Sequence, residues 1–236
     1  MQVFVIIPAA GLGTRMAPQG ATAHAPKQFL ELGDKPVLII TLNKFLQVPR
    51  VHRILIAVRK NETERVQAQL QQHGWDDRIA VVEGGDTRQE SVCKALRHLD
   101  AADDDIVLIH DAVRPLIDSA TIERTIDSVE RHQAAIVGVP AVDTIKQVER
   151  TAAGAIITST IPRQHIVQAQ TPQGFRCGLL RRAVEEAEAD GFIGTDEASL
   201  VERLGHEVAV VPGSPKNFKI TQPGDLALAE FYLHQE

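Results

Sequence analysis

The chain is poor in cysteine: Cys93 and Cys177 stand far apart in no CxxC pattern, and nine histidines include no HxH or HExxH spacing. Such usage gives neither a disulfide framework nor a protein-built zinc site, and both thiols read as reduced, small apolar groups. Aromatic residues are also scarce, at 4%, and the net charge is −6. A stacking platform for single strands and a general phosphate-backbone binder are thereby excluded, so any cationic site must be local. No apolar run nears the roughly 20 residues of a membrane span. The first run has no basic segment ahead of it and reads as a strand, not a signal peptide. The expected compartment is the cytosol, without membrane or nucleic-acid partners.

What the chain does have is alternation. Short continuous apolar runs, "VFVIIPA", "RILIAVR", "IAVVEG", "DIVLIHDA", "AAIVGVPA" and "EVAVVPG", suit strands covered on both faces. Between them lie helical patterns such as "RQESVCKALRHL", with Val92, Ala95, Leu96 and Leu99 on one face. "TDEASLVERLG" predicts a helix capped by Thr195, with two acids in its first turn and a stop at Gly205. Strand–helix alternation predicts an α/β fold, a single doubly wound, mostly parallel open sheet. Ligands of such sheets bind beyond the carboxyl ends of the strands. Residues 1–236 read as one domain, since no linker or repeat divides them. Within it, 140–163 breaks the rhythm as a hairpin turning near "RTAAG". An isolated hairpin is marginal in water, so it needs its own domain or a second subunit to lie against.

The opening "VFVIIPAAGLGTRM" sends a buried-type strand straight into a glycine turn, which exposes backbone N–H groups to an anion. Arg15 and Met16 stand where a dinucleotide fingerprint would close on small residues, and no GKS or GKT makes a P-loop. Lys27, in "APKQFL", follows twelve positions after Arg15. Alone, either cation suits a solvated surface; together with the exposed amides they describe a triphosphate clamp.

"PAAGLGTRM…PKQFL" resembles the signature loop of sugar nucleotidyltransferases. With "GGDTRQESV", "IHDAVRP", "VDTIK" and "TDEASLVE" in that order, the chain resembles the 2-C-methyl-D-erythritol 4-phosphate cytidylyltransferase family over essentially its whole length. The resemblance implies that CTP and a polyol phosphate combine with release of pyrophosphate. The magnesium ion would be held mainly by the CTP phosphates, near Asp111 at most, with no metal ligand assigned directly to the protein. It further implies Arg15, Lys27, Arg163 and Lys219 as catalytic cations. Ala9, Ala10, Gly11, Gly13, Gly85, Asp86 and Ser91 would surround the nucleotide. Asp111, Thr144, Thr171 and Thr195 would contact substrate, with Thr144 and Arg163 reaching across a homodimer formed through the hairpin arm. Residues 17–26 are longer than the usual family loop and imply a mobile flap over the triphosphate.

Several readings stay open in the residues themselves. Ser91 also suits a helix-capping turn, Arg88 either an anchor or a surface residue, and His110 a satisfied core position. Arg114 suits a loop tie. Ribitol 5-phosphate is an alternative acceptor. A dinucleotide-dependent oxidoreductase is disfavoured by the broken glycine pattern, and a non-catalytic nucleotide sensor would bind CTP without releasing pyrophosphate.

Overall fold

The computed structural model describes residues 1–11, 26–74, 76–152 and 154–235. Arg15, Gly13 and all but the last residue of the expected flap lie outside them. The strands are β1 (Val3–Pro8), β2 (Glu31–Leu32), β3 (Lys35–Pro36), β4 (Val51–Val58), β5 (Ile79–Glu83), β6 (Ile106–Ile109), β7 (Ala134–Pro140), β8 (Ile145–Thr151), β9 (Gly154–Ile161), β10 (Val167–Arg176) and β11 (Ala209–Pro212). The helices are α1 (Val37–Leu46), α2 (Thr63–His73), α3 (Arg88–Arg97), α4 (Ser119–His132), α5 (Cys177–Ala189), α6 (Glu197–Arg203) and α7 (Pro223–Leu233).

Seven strands form one sheet in the order β11-β7-β10-β6-β1-β4-β5. Every neighbouring pair is parallel except the two made by β10, which runs antiparallel to both β6 and β7. The mostly parallel reading therefore holds, and the exception is a strand that the apolar pattern does not reveal. "VQAQTPQGFR" carries Gln170, Thr171 and Gln173 into the interior, where specific partners satisfy them. Gln173 donates to Asp196 at 2.8 Å, and Thr171 meets the His110 ring at 2.9 Å. Gly174 is needed there, because a Cβ would stand 2.7 Å from both Leu108 and Val129.

Alternate residues of β1 face opposite cores. Val3, Val5 and Ile7 join one cluster with α1, α2 and α4, while Phe4 and Ile6 join the other with α3, α5 and α6. Each such side chain contributes about 1.5–3 kcal/mol by leaving water, which is why continuous apolarity marks a strand covered twice. Cys93 and Cys177 are buried and unpaired, and burial pushes the Cys93 thiol up to about 12, so both serve as packing groups.

Helix starts follow local capping chemistry. Thr87 caps α3 and Glu90 reaches back to its N–H, a reciprocal box spelled "TRQE". For α6 the cap is Asp196, not Thr195: the Asp196 carboxylate accepts the Ser199 N–H at 3.0 Å. Asp196 stands three residues before the Ser199 N–H, the reach of a short carboxylate, and Thr195 is one position too early. Glu197 stands in the first turn of α6 but is buried rather than facing solvent.

The hairpin arm consists of β8 and β9, paired antiparallel from Ile145↔Ile161 to Thr151↔Gly154. It makes its own two-stranded sheet, exposed along nearly its full length.

Candidate active site

The chain leaves β1 toward β4 and β5 on one side and later adds β6 on the other. The carboxyl ends of β1 and β6 therefore flank a crevice where the winding reverses, the position at which open α/β sheets bind ligands. A cavity of about 300 Å³ opens there. Its walls come from Pro8–Gly11 after β1, Asp86–Arg88 and Ser91 at the start of α3, Asp111–Val113 after β6, Lys27–Gln28, and Lys219.

The turn after β1 is held from several sides. The Ala9 N–H donates to Ala57 at 2.8 Å, Gln28 donates to the Ala9 carbonyl at 2.6 Å, and Arg59 to the Ala10 carbonyl at 2.8 Å. Opposite, Gly84 and Gly85 let the β5–α3 loop close onto its helix. A Cβ on Gly85 would lie 2.3 Å from that of Glu90, and one on Gly84 would lie 3.1 Å from that of Ala10. Ser91 is buried; its hydroxyl donates to the Thr87 carbonyl at 2.8 Å and accepts the Gly85 N–H at 3.0 Å. It thus both caps the turn and lines the cavity.

Charge is concentrated at Asp111. Arg88 Nε donates to Oδ1 at 3.2 Å, Arg114 Nε to Oδ2 at 3.1 Å, and Lys219 Nζ stands 3.1 Å from Oδ2. Burial alone would raise this carboxyl; Lys219, Arg88 and Arg114 outweigh it and hold Asp111 well below the usual carboxylate range. Arg114 also donates to the Asn217 carbonyl at 2.8 Å, tying the β6 loop to the segment that carries Lys219. Arg88 Nη1 reaches both oxygens of Glu197, at 2.7 and 2.8 Å. Burial holds the Glu197 carboxyl above its ordinary value, the nearby Arg88 pulling it only part of the way back, and both its oxygens accept from the Arg88 guanidinium. Arg88 is therefore an anchor; Gln28, in the wall, and Glu197, behind it, fall within the motifs "PKQFL" and "TDEASLVE" but are not among the expected site residues.

His110 is fully buried, and its ring nitrogens meet the Arg114 carbonyl at 3.1 Å and the Thr171 hydroxyl at 2.9 Å. The carbonyl can only accept, which assigns the proton to Nε2 and leaves Nδ1 to accept from Thr171. The Thr171 oxygen in turn accepts the Asp111 N–H at 3.1 Å. Burial lowers the His110 ring to about 4, so it is a neutral core group that orders the Asp111 loop.

Of the residues expected at the site, Ala9, Ala10, Gly11, Lys27, Asp86, Ser91, Asp111 and Lys219 line this cavity. Lys27 is buried and donates to the Thr221 carbonyl at 2.8 Å, two residues from Lys219. Gly85 lies just behind the wall, in an adjoining groove that shares Asp86. Thr171 sits beneath Asp111, and exposed Thr195 stands outside the lining. Thr144 and Arg163 are exposed at the foot of the arm, where Arg163 donates to the Val142 carbonyl at 2.5 Å.

Among the described residues no group of three or more His, Cys, Asp or Glu could hold a metal ion, and no helix is long and apolar enough to cross a membrane. The family model described as IspD, 2-C-methyl-D-erythritol 4-phosphate cytidylyltransferase, matches residues 3–235. A protein of that description from Acidobacterium capsulatum is 69% identical over 100% of this chain and 98% of its own. One from Solibacter usitatus is 51% identical over 100% and 97%. Among solved structures, the 4-diphosphocytidyl-2C-methyl-D-erythritol synthase of Anaerococcus prevotii aligns with a TM-score of 0.83 at 29% identity, covering 99% of this chain and 96% of that one. The 2-C-methyl-D-erythritol 4-phosphate cytidylyltransferase of Francisella tularensis gives 0.79 at 36%, covering 98% and 99%. A crevice ringed by cations at the carboxyl edge, in a chain alike from end to end, leads to one assignment: the chain belongs to the 2-C-methyl-D-erythritol 4-phosphate cytidylyltransferase family.

Proposed function

We propose that Lys27 and Lys219, with Arg15 from the adjoining loop, gather the triphosphate of CTP and the phosphate of 2-C-methyl-D-erythritol 4-phosphate in the crevice between β1 and β6. The attacking oxygen is already an anion, so the reaction needs no general base. It joins that oxygen to the α-phosphorus as the bond to pyrophosphate breaks. The barrier lies in bringing two anions together and in the charge that grows on the departing oxygen, so positioned cations supply most of the rate. The observation that carries this reading is the convergence of two lysines, distant in sequence, on one cavity through the Lys27–Thr221 bond.

Ala9, Ala10, Gly85, Asp86 and Ser91 would enclose the cytosine, which presents an amino donor and a carbonyl acceptor. Magnesium would enter as part of the Mg·CTP complex. Asp111 is a poor seat for it, because three cations already face that carboxylate. The arm is proposed to dimerise: Ile156 and Ile157 are 62% and 60% exposed, and a partner subunit would cover them. Thr144 and Arg163 would then serve the partner's polyol phosphate. Buried unpaired thiols accord with a cytosolic enzyme.

The test is pyrophosphate release from Mg·CTP and 2-C-methyl-D-erythritol 4-phosphate by Lys27→Met. Turnover should fall on the order of 10²–10³, the scale of one electrostatic donor. A folded variant turning over at the wild-type rate would remove Lys27 from the mechanism.

A further inference from the structure

The ion-pair chain around Asp111 has an outer member, Glu197, that stands behind the wall residue Arg88 and does not itself line the cavity. Glu197 is 2% exposed and absent from the cavity lining, and both its oxygens are bound by Arg88 Nη1. Among the described residues Arg88 is the one cation paired with Glu197, and a buried carboxylate so paired is a weak source of net stability, because desolvation consumes much of the attraction. Its value must then lie in geometry. Arg88 is a long, flexible side chain, and with only its Nε on Asp111 it could rotate. Gripped also at Nη1, it is fixed at both ends and presents a set edge to Asp111. Asp111 in turn holds Lys219 at 3.1 Å.

We infer that Glu197 is a positioning residue for phosphoryl transfer, setting Lys219 through Arg88 and Asp111. This rests on the catalytic reading of Lys219 given above. Glu197 also tempers the charge. Among the described residues, three cations and two carboxylates, counted with Glu197 ionised, leave one net positive charge in the cluster, and neutralising Glu197 would raise it. Loss of the carboxylate therefore has opposite effects on attraction and on alignment. Anionic substrate is drawn at least as well, while the ammonium that meets it is misplaced.

Glu197→Gln keeps the shape and removes the charge. Its kcat should fall about tenfold to a hundredfold, the usual scale for misplacing a catalytic group, with no rise in the KM for CTP. General damage to the fold would instead lower kcat and raise KM together. In a Lys219→Met background the same substitution should cost less than twofold, since nothing is left to position. If Glu197→Gln does not fold, Glu197→Asp retains the charge but withdraws it by one methylene, and the same kcat loss and the same coupling are expected. A folded Glu197 variant with wild-type kcat, or losses that multiply with Lys219→Met, would overturn the inference. If Lys219→Met itself turns over normally, the catalytic reading of Lys219 fails. If Lys219→Met is impaired while the Glu197 variant is not, only the positioning role fails.

Discussion

His110 makes the acid stability of this enzyme quantitatively testable. Its ring is fully buried, between an acceptor carbonyl and a threonine hydroxyl, and is held to about 4 against an ordinary 6.5. The folded pKa lies below the unfolded one, so as pH drops the unfolded chain takes up the proton first. The contribution is complete above about pH 6.5 and drains away down to about pH 4. Each factor of ten in proton affinity corresponds to about 1.4 kcal/mol, which puts the loss near 3 kcal/mol. Asp111, Asp105 and Asp225, whose carboxyls are lowered on folding, also lose stability in acid, so the wild-type curve alone does not isolate the ring. The comparison with His110→Gln does. Urea unfolding of both proteins between pH 7.5 and 4, within the range where each folds reversibly, should show the gap narrowing by about 3 kcal/mol. Parallel curves, or an NMR titration of the His110 ring near pH 6.5, would refute this account of the ring.

Arg15→Met should lower turnover on the order of 10²–10³ with circular dichroism unchanged, read by pyrophosphate release. Gly85→Ala brings a Cβ to 2.3 Å from that of Glu90; it should cost about 1–3 kcal/mol in a thermal melt and raise the KM for CTP. The pair Ile156→Lys and Ile157→Lys, placed on the exposed arm, should sediment as a monomer with reduced turnover; a dimer of wild-type activity would detach the arm from assembly.

How much of the molecule is legible in its sequence differs by element. Strands covered on both faces announce themselves, because Val5, Ile6 and Ile7 leave water on opposite sides in succession. β10 does not, since its interior positions are polar residues satisfied one by one by His110, Asp196 and Ser214, partners that no local pattern specifies. At the site, short motifs mark Asp111 and Ser91, each beside a strand end or helix start. Glu197 lies within "TDEASLVE" yet draws no notice, because an acid in the first turn of a helix ordinarily complements the helix dipole. Only the fold reveals that it instead turns inward to Arg88. Thr195 misses the cap by one residue, the margin by which a capping side chain gains or loses its target N–H.

The reversed direction of β10 has a consequence for how this architecture can vary. A parallel strand after β7 would have required a crossover to the opposite edge of the sheet before re-entry. Running backwards, β10 begins at the edge where β7 ends, so the arm is in effect an overgrown hairpin loop whose two stems stay in register through Val167↔Pro140 and Ala169↔Gly138. Changes in its length displace the tip alone. Thr144 and Arg163, near the stems, keep their address however the far end is remodelled.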